Sequence, residues 1–149
     1  MSAKTLTMTG ESRLYRTGEI SSSLFYRDPA AAMAWLERAF GLEPCHVVED
    51  ETGALTHIEM GLGDGVVTIG GEWTGWAKSP ASLGGANTQM LRVVIDGDLD
   101  ALFERAVAAG AVVIQAPADQ FYHQRTCRLA DLEGHAWTFA RNLSDAPKG

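Results

Sequence analysis

The sequence has few cysteines, no cluster of positive charge and no long apolar run, and each shortage removes a class of protein. Only two of its 149 residues are cysteine. Cys45 and Cys127 stand singly, without metal-type spacing, so neither a disulfide framework nor a zinc module organises the chain. Lysine and arginine number 12 against 19 aspartates and glutamates, a formal net charge of −7. With no basic run there is no set of clustered cations to grip a phosphate backbone, and no nucleic-acid partner is expected. No apolar stretch approaches the ~18 residues of a membrane span, and no charged-then-apolar leader precedes a small-residue cleavage site, so the expectation is a cytoplasmic chain without a membrane partner. Nucleophile chemistry is missing as well. There is no Ser-His-Asp spacing and no nucleophile elbow, and Gly61-Leu62-Gly63-Asp64-Gly65 lacks the strand-to-helix setting of a nucleotide fingerprint.

What is present is an ordinary globular composition, 46% hydrophobic and 21% charged, in a chain long enough to bury a core. Residues 1–18 show no sustained period and read as an N-terminal arm. Residues 20–26 alternate as a first strand, with Ile20, Leu24 and Tyr26 on one face and Ser21, Ser23 and Phe25 on the other. Asp28-Pro29 starts a helix in which Met33, Leu36, Ala39 and Phe40 recur at helical spacing, and Gly41 stops it. Three strands follow at 43–49, 54–60 and 65–70, separated by the turns at 50–53 and 61–65. A stretch rich in Gly, Ser and Ala, yet holding Trp73 and Trp76, then reads as a linker over 72–87.

The pattern then repeats. A strand at 88–95 precedes a helix at 96–110 with an apolar stripe of Leu99, Leu102, Phe103, Ala106 and Val107, and strands follow at 111–115, 124–130 and 134–140. Leu36-Glu37-Arg38-Ala39 aligns with Phe103-Glu104-Arg105-Ala106 at a constant offset of 67 (103 − 36 = 67). The order strand, helix, three strands, twice, predicts an α+β fold of two βαβββ modules, residues 19–71 and 88–143, before a short tail over 144–149.

The last strand is introduced by Asp131-Leu132-Glu133-Gly134-His135, a turn built on aspartate and glycine, and continues Ala136-Trp137-Thr138-Phe139-Ala140, large residues alternating with small. This stretch resembles the final strand of the vicinal oxygen chelate superfamily, the glyoxalase, bleomycin-resistance and extradiol-dioxygenase group, with Leu132 where that signature usually has Pro. The resemblance spans about residues 20–143. It implies a curved, cup-shaped mixed sheet with helices on the convex side, and a homodimer by analogy.

Enzymes of that superfamily hold a divalent metal through one His, Gln or Glu from each of four strands. Carried over residue by residue, those positions fall on Ser21, Thr68, Met90 and Thr138, and none is a usual ligand. If the register slips, Glu72 is the only nearby carboxylate and Gln89 the only nearby amide. The expectation is therefore a site without metal or other cofactor. By the same alternation the cup is lined by Ser21, Ser23, Phe25, Thr68, Gly70, Met90, Arg92, Val94, Ala136, Thr138 and Ala140, a roomy, largely apolar set with one cation.

Arg92 is the candidate anchor for an anionic group, or else the partner of Glu72 or Asp131 in an ion pair. Trp73 and Trp76 either close over a flat ligand or anchor the linker. Trp35, Trp137 and Phe139 belong to the core. Among the histidines, His46 reads as a surface residue, His57 as structural in preference to functional, and His135 as hydrogen-bonded within its own turn. His123, with Tyr122 beside it, is the best acid–base candidate.

Two functions remain open. One is a metal-free protein that binds a small, aromatic, partly anionic molecule. The other is a lyase, isomerase or dioxygenase of the same group, either metal-free with His123, Tyr122 or Glu72 as acid or base, or metal-dependent through misaligned ligands.

Overall fold

The computed structural model describes residues 14–143. The arm over 1–18 therefore falls largely, and the tail over 144–149 wholly, outside the described residues.

Asp28 and Pro29 act as the sequence expects. The Asp28 carboxylate accepts the Ala31 amide, Pro29 takes the first helical position, and α1 runs Pro29–Phe40 until Gly41 turns left-handed at φ 75°. Only glycine takes that conformation at little cost, and its amide returns to the carbonyls of Leu36 and Glu37. The buried stripe is Ala32, Trp35, Leu36, Ala39 and Phe40. Around α1 lie β1 (Ser22–Tyr26), β2 (Glu43–Glu49), β3 (Leu55–Leu62) and β4 (Gly65–Gly71). They form one sheet in the order β1-β4-β3-β2, with β1 parallel to β4 and the other pairs antiparallel.

The second module repeats this with β5 (Leu91–Ile95), α2 (Leu99–Ala108), β6 (Val112–Asp119), β7 (Gln124–Ala130) and β8 (Ala136–Asn142), in the order β5-β8-β7-β6. The fold is α+β and built of two βαβββ modules, as the repeat predicts.

Several boundaries move from their expected places. The helix expected over 96–110 begins at Leu99, because it is the Asp98 carboxylate that accepts the Ala101 amide and sets the cap. Val107, expected in its stripe, is 40% exposed. Strand β5 starts at Leu91, not 88, since its partner among the described residues, β8, begins at Ala136 and the pairing opens at Leu91 with Trp137. Strand β6 continues past 115 to Asp119, held on β7 through two register shifts that alternation cannot reveal.

Both helices lie on the same face of the paired sheets, and one core runs through both modules. Phe40, at the end of α1, packs on Trp137 and Phe139 of β8, with ring centroids 5.2 and 4.8 Å apart. The Trp35 indole donates to the Ala109 carbonyl at 2.7 Å, and Arg105 of α2 donates to the carbonyls of Glu37 and Arg38 at the end of α1. A cation there answers both the unpaired carbonyls and the negative end of the helix dipole.

The turn at 131–135 clamps the modules from the other end. Asp131 is 3% exposed, and one of its oxygens accepts Tyr26 Oη at 2.5 Å and Trp137 Nε1 at 3.0 Å. Its other oxygen accepts the amides of Glu133 and His135. Glu133 accepts the amides of Arg27 and Asp28. The His135 side chain, expected to bond inside its own turn, instead places Nε2 2.7 Å from the Phe25 carbonyl. A carbonyl only accepts, so Nε2 carries the proton.

Candidate functional site

The faces away from the helices are open, and register fixes what each displays. In the first sheet one rung runs Ser23, Thr68, Glu59, His46; its counterpart in the second runs Arg92, Thr138, Arg128, Gln115. The two sheets lie side by side along β1 and the segment leading into β5. There Gln89 Nε2 reaches Ser22 Oγ at 3.3 Å, and the strand pairings stay within each sheet. Two hollows open along this seam.

The first hollow, of about 470 Å³, is lined by Ser23 and Phe25 of β1, the linker from Gly75 to Leu83, residues 86–89 and His135. Trp76 stands edge-on to Phe25, with centroids 6.0 Å apart, and edge-on to Trp73 at 5.4 Å. Both tryptophans are left exposed, at 70% and 71%. The polar groups on the wall are Ser23, Lys78, Asn87, Thr88, Gln89 and His135, and no carboxylate is among them.

The second hollow, of about 580 Å³, is walled by residues of both sheets. Leu42, Met60, Val67, Leu91 and Trp137 line it, with Ser21, Ser22, Asp64, Gln89 and Arg92 as its polar groups. Gln89 borders both hollows.

The site residues read from the sequence are thus divided. Ser23, Phe25 and Trp76 share the first hollow, with Trp73 against Trp76, while Ser21 and Arg92 share the second. Met90 and Thr138 meet each other, with Thr138 Oγ1 3.2 Å from Met90 Sδ, but they border neither hollow, nor does Thr68. Arg92 pairs with neither Glu72 nor Asp131, as the ion-pair expectation had it. Its guanidinium donates to Gln124 Oε1, because Asp131 is enclosed by Tyr26 and Trp137 and Glu72 is occupied elsewhere.

Glu72, Tyr122 and His123 are not brought together. The Glu72 carboxylate accepts the Ser79 amide at 2.8 Å. That bond, then the Ser82 hydroxyl, holds it below the usual carboxylate range, which makes it a weaker base. Tyr122 and His123 sit at the tip of the β6–β7 hairpin, where His123 is left-handed at φ 61° and its amide donates to the Gln120 carbonyl. Lys78, Asn87, Thr88 and His135 were not read from the sequence as site residues. The linker's mixture of small residues and tryptophan was the available signal, and it named the region without naming these side chains.

A divalent metal does not fit the positions the superfamily uses. Ser21, Thr68, Met90 and Thr138 offer hydroxyls and a thioether. The Thr138 hydroxyl is already engaged, accepting Arg128 Nε at 2.9 Å. Among the described residues no group of three or more His, Cys, Asp or Glu stands ready to hold an ion, and no helix is long and apolar enough to cross a membrane.

Known proteins place this geometry. The profile of the Glyoxalase/Bleomycin resistance protein/Dioxygenase superfamily matches residues 18–139. An uncharacterized protein of Mycobacterium bovis is 30% identical over 130 residues, spanning 85% of this chain and 84% of its own. Among solved structures, TioX from Micromonospora sp. ML1 is similar at 30% identity and a TM-score of 0.64, over 85% of this chain and 100% of TioX. A glyoxalase/bleomycin resistance protein/dioxygenase from Nocardioides shares the fold at 18% identity and a TM-score of 0.64, over 93% and 92% of the two chains.

Proposed function

The chain belongs to the glyoxalase/bleomycin resistance protein/dioxygenase superfamily, and on that footing we propose that it binds a small, aromatic, partly anionic molecule without a metal. The ligand lies in the hollow beneath Trp76. The observation that carries this reading is the composition of that wall. In a chain of net charge −7, the hollow presents two aromatic rings, neutral hydrogen-bonding groups, Lys78 and His135, and no carboxylate. Exposed rings held edge-to-face leave their π-faces free for a flat guest, and a lysine at the rim suits a carboxylate or phenolate. Pre-formed concave sites with a few polar groups are how small-molecule pockets are built.

Binding is favoured over catalysis because none of the acid–base candidates Glu72, Tyr122 and His123 lines the hollow. A homodimer belongs to the same reading. It is supported by the exposed apolar run Val112, Val113 and Ile114 on edge strand β6, a surface that sheets ordinarily protect. A cytoplasmic location is supported by the two free thiols, Cys45 exposed and Cys127 buried.

The test is tryptophan fluorescence during titration with planar aromatic carboxylates, in the presence of EDTA. Saturable quenching that survives the chelator and weakens about tenfold in Trp76→Ala, the worth of one aromatic contact, is the expected result. Quenching abolished by EDTA, or equal in the variant, contradicts the reading.

A further inference from the structure

His135 stands on the wall of the hollow beside Trp76, and its own tethers fix what it can offer there. Its Nε2 donates to the Phe25 carbonyl at 2.7 Å, and its ring packs on that of Tyr26 with centroids 4.6 Å apart. The ring is thus held at one edge and on one face. Its other nitrogen, Nδ1, makes no hydrogen bond among the described residues, where no buried side-chain nitrogen or oxygen goes without a partner. Nδ1 is therefore reached from outside the core, and the hollow is the space that His135 lines. Given an aromatic anion in this hollow, on which the assignment rests, we infer that His135 Nδ1 accepts a hydrogen bond from it and so selects ligands carrying a ring hydroxyl or amino group.

The rest of the wall makes that choice specific. Asn87 is engaged by its own fold, with Nδ2 donating to the Gly134 carbonyl and Oδ1 accepting the Ala136 amide. Gln89 Nε2 is drawn to Ser22 Oγ at 3.3 Å. Ser23 and Thr88 carry hydroxyls that turn to donate or to accept, and so discriminate little. Lys78 can only donate, which suits a carboxylate, whereas Nδ1 of an imidazole protonated on Nε2 can only accept. A ring hydroxyl or amino group answers the second as the carboxylate answers the first. A methoxy group brings no proton, and leaves Nδ1 covered and unpaired.

The experiment is calorimetric titration of the full chain at about pH 8, above the ordinary histidine range. The probes are 1-naphthoate and its hydroxy, amino and methoxy derivatives, each substituted in turn at the positions of the ring remote from the carboxylate. Histidine nitrogen signals are followed in parallel in a long-range nitrogen–proton spectrum. Expected is a hydroxy or amino isomer that binds about five- to tenfold tighter than its methoxy counterpart, the worth of one hydrogen bond. The His135 Nδ1 signal should move with that isomer and not with the methoxy compound, and His135→Phe should abolish the preference. Should that variant fail to fold, the Nδ1 signal of the parent decides. Equal binding across every hydroxy, amino and methoxy set, an Nδ1 signal unmoved at saturation, or a preference kept in the variant overturns the assignment and leaves the hollow a binding site. No saturable binding by any naphthoate is a different failure, since it removes the occupant and overturns the hollow and the assignment together.

Discussion

The two modules share one topology and put it to different uses. Thr68 and Thr138 occupy the same place on their sheets, opposite Ser23 and Arg92 respectively. Thr68 is half-buried beside Glu59 and His46, whereas Thr138 is 4% exposed beneath Arg128 and Met90. The first sheet's open face is small and uncrowded, with a histidine–carboxylate corner. The second sheet's open face is roofed by Arg92, Arg128, Gln115, Gln120 and Gln124, which bond to one another or to threonine hydroxyls. A repeat therefore fixes backbone register, and chemistry is then distributed unevenly over it. The hollow beside Trp76 opens where β1 and the linker leave a face uncovered, not where the second sheet has roofed itself.

The comparison is broken most sharply at the aspartate turns. Asp50 and Asp131 each organise a turn through backbone amides, Asp50 on the surface of the first module and Asp131 at the junction with the second. Asp131→Ala orphans the Tyr26 hydroxyl, the Trp137 indole and two amides in the interior, and should cost about 3 kcal/mol or more. Asp50→Ala leaves its donors open to water and should cost well under half of that. Urea unfolding of both variants checks the difference. Equal losses would mean that the turn does not clamp the modules.

A smaller asymmetry separates the paired helices. Arg38 and Arg105 are repeat partners at the offset of 67 (105 − 38 = 67), but among the described residues only Arg105 reaches across, to the carbonyls ending α1. Arg105→Met should lower stability by about 1 kcal/mol, and Arg38→Met by a few tenths. Thermal melts side by side decide the point.

The last contrast is one of pH. Burial, then the nearby Asp131 charge, pushes the Tyr26 phenol well above its ordinary value of 10.0. Above about pH 10 the unfolded chain loses a proton that the folded chain keeps. Stability is thus whole below that pH and declines as pH rises past it. In Tyr26→Phe this part of the alkaline decline should vanish, as read from denaturant midpoints between pH 9 and 11.

Alternation and capping residues were enough to read both βαβββ units from the sequence. Asp28-Pro29 and Gly41 bound α1 as expected, and alternation put Ser23, Phe25, Thr68, Arg92 and Thr138 on the faces away from the helices. What it could not show is contact across a hundred residues. Asp131 to Tyr26 and His135 to Phe25 depend on how one module docks against the other, and local pattern is silent about docking. Arg92 illustrates the same limit: its face was readable, but its partner, Gln124, was not. Strand ends moved for a related reason, since β5 can begin only where β8 offers a partner and β6 continues through bulges that break its period.

The central claim, an aromatic anion seated against Trp76, is tested most directly by the four tryptophan indole N–H signals in a nitrogen–proton spectrum during titration with 1-naphthoate. Trp35 and Trp137 are buried with their N–H groups bonded to Ala109 and Asp131, and Trp137 borders the other hollow. Saturable shifts are expected for Trp76 and, more weakly, Trp73, with Trp35 and Trp137 unmoved. A shift concentrated on Trp137, or no saturable shift on any of the four, would contradict the claim.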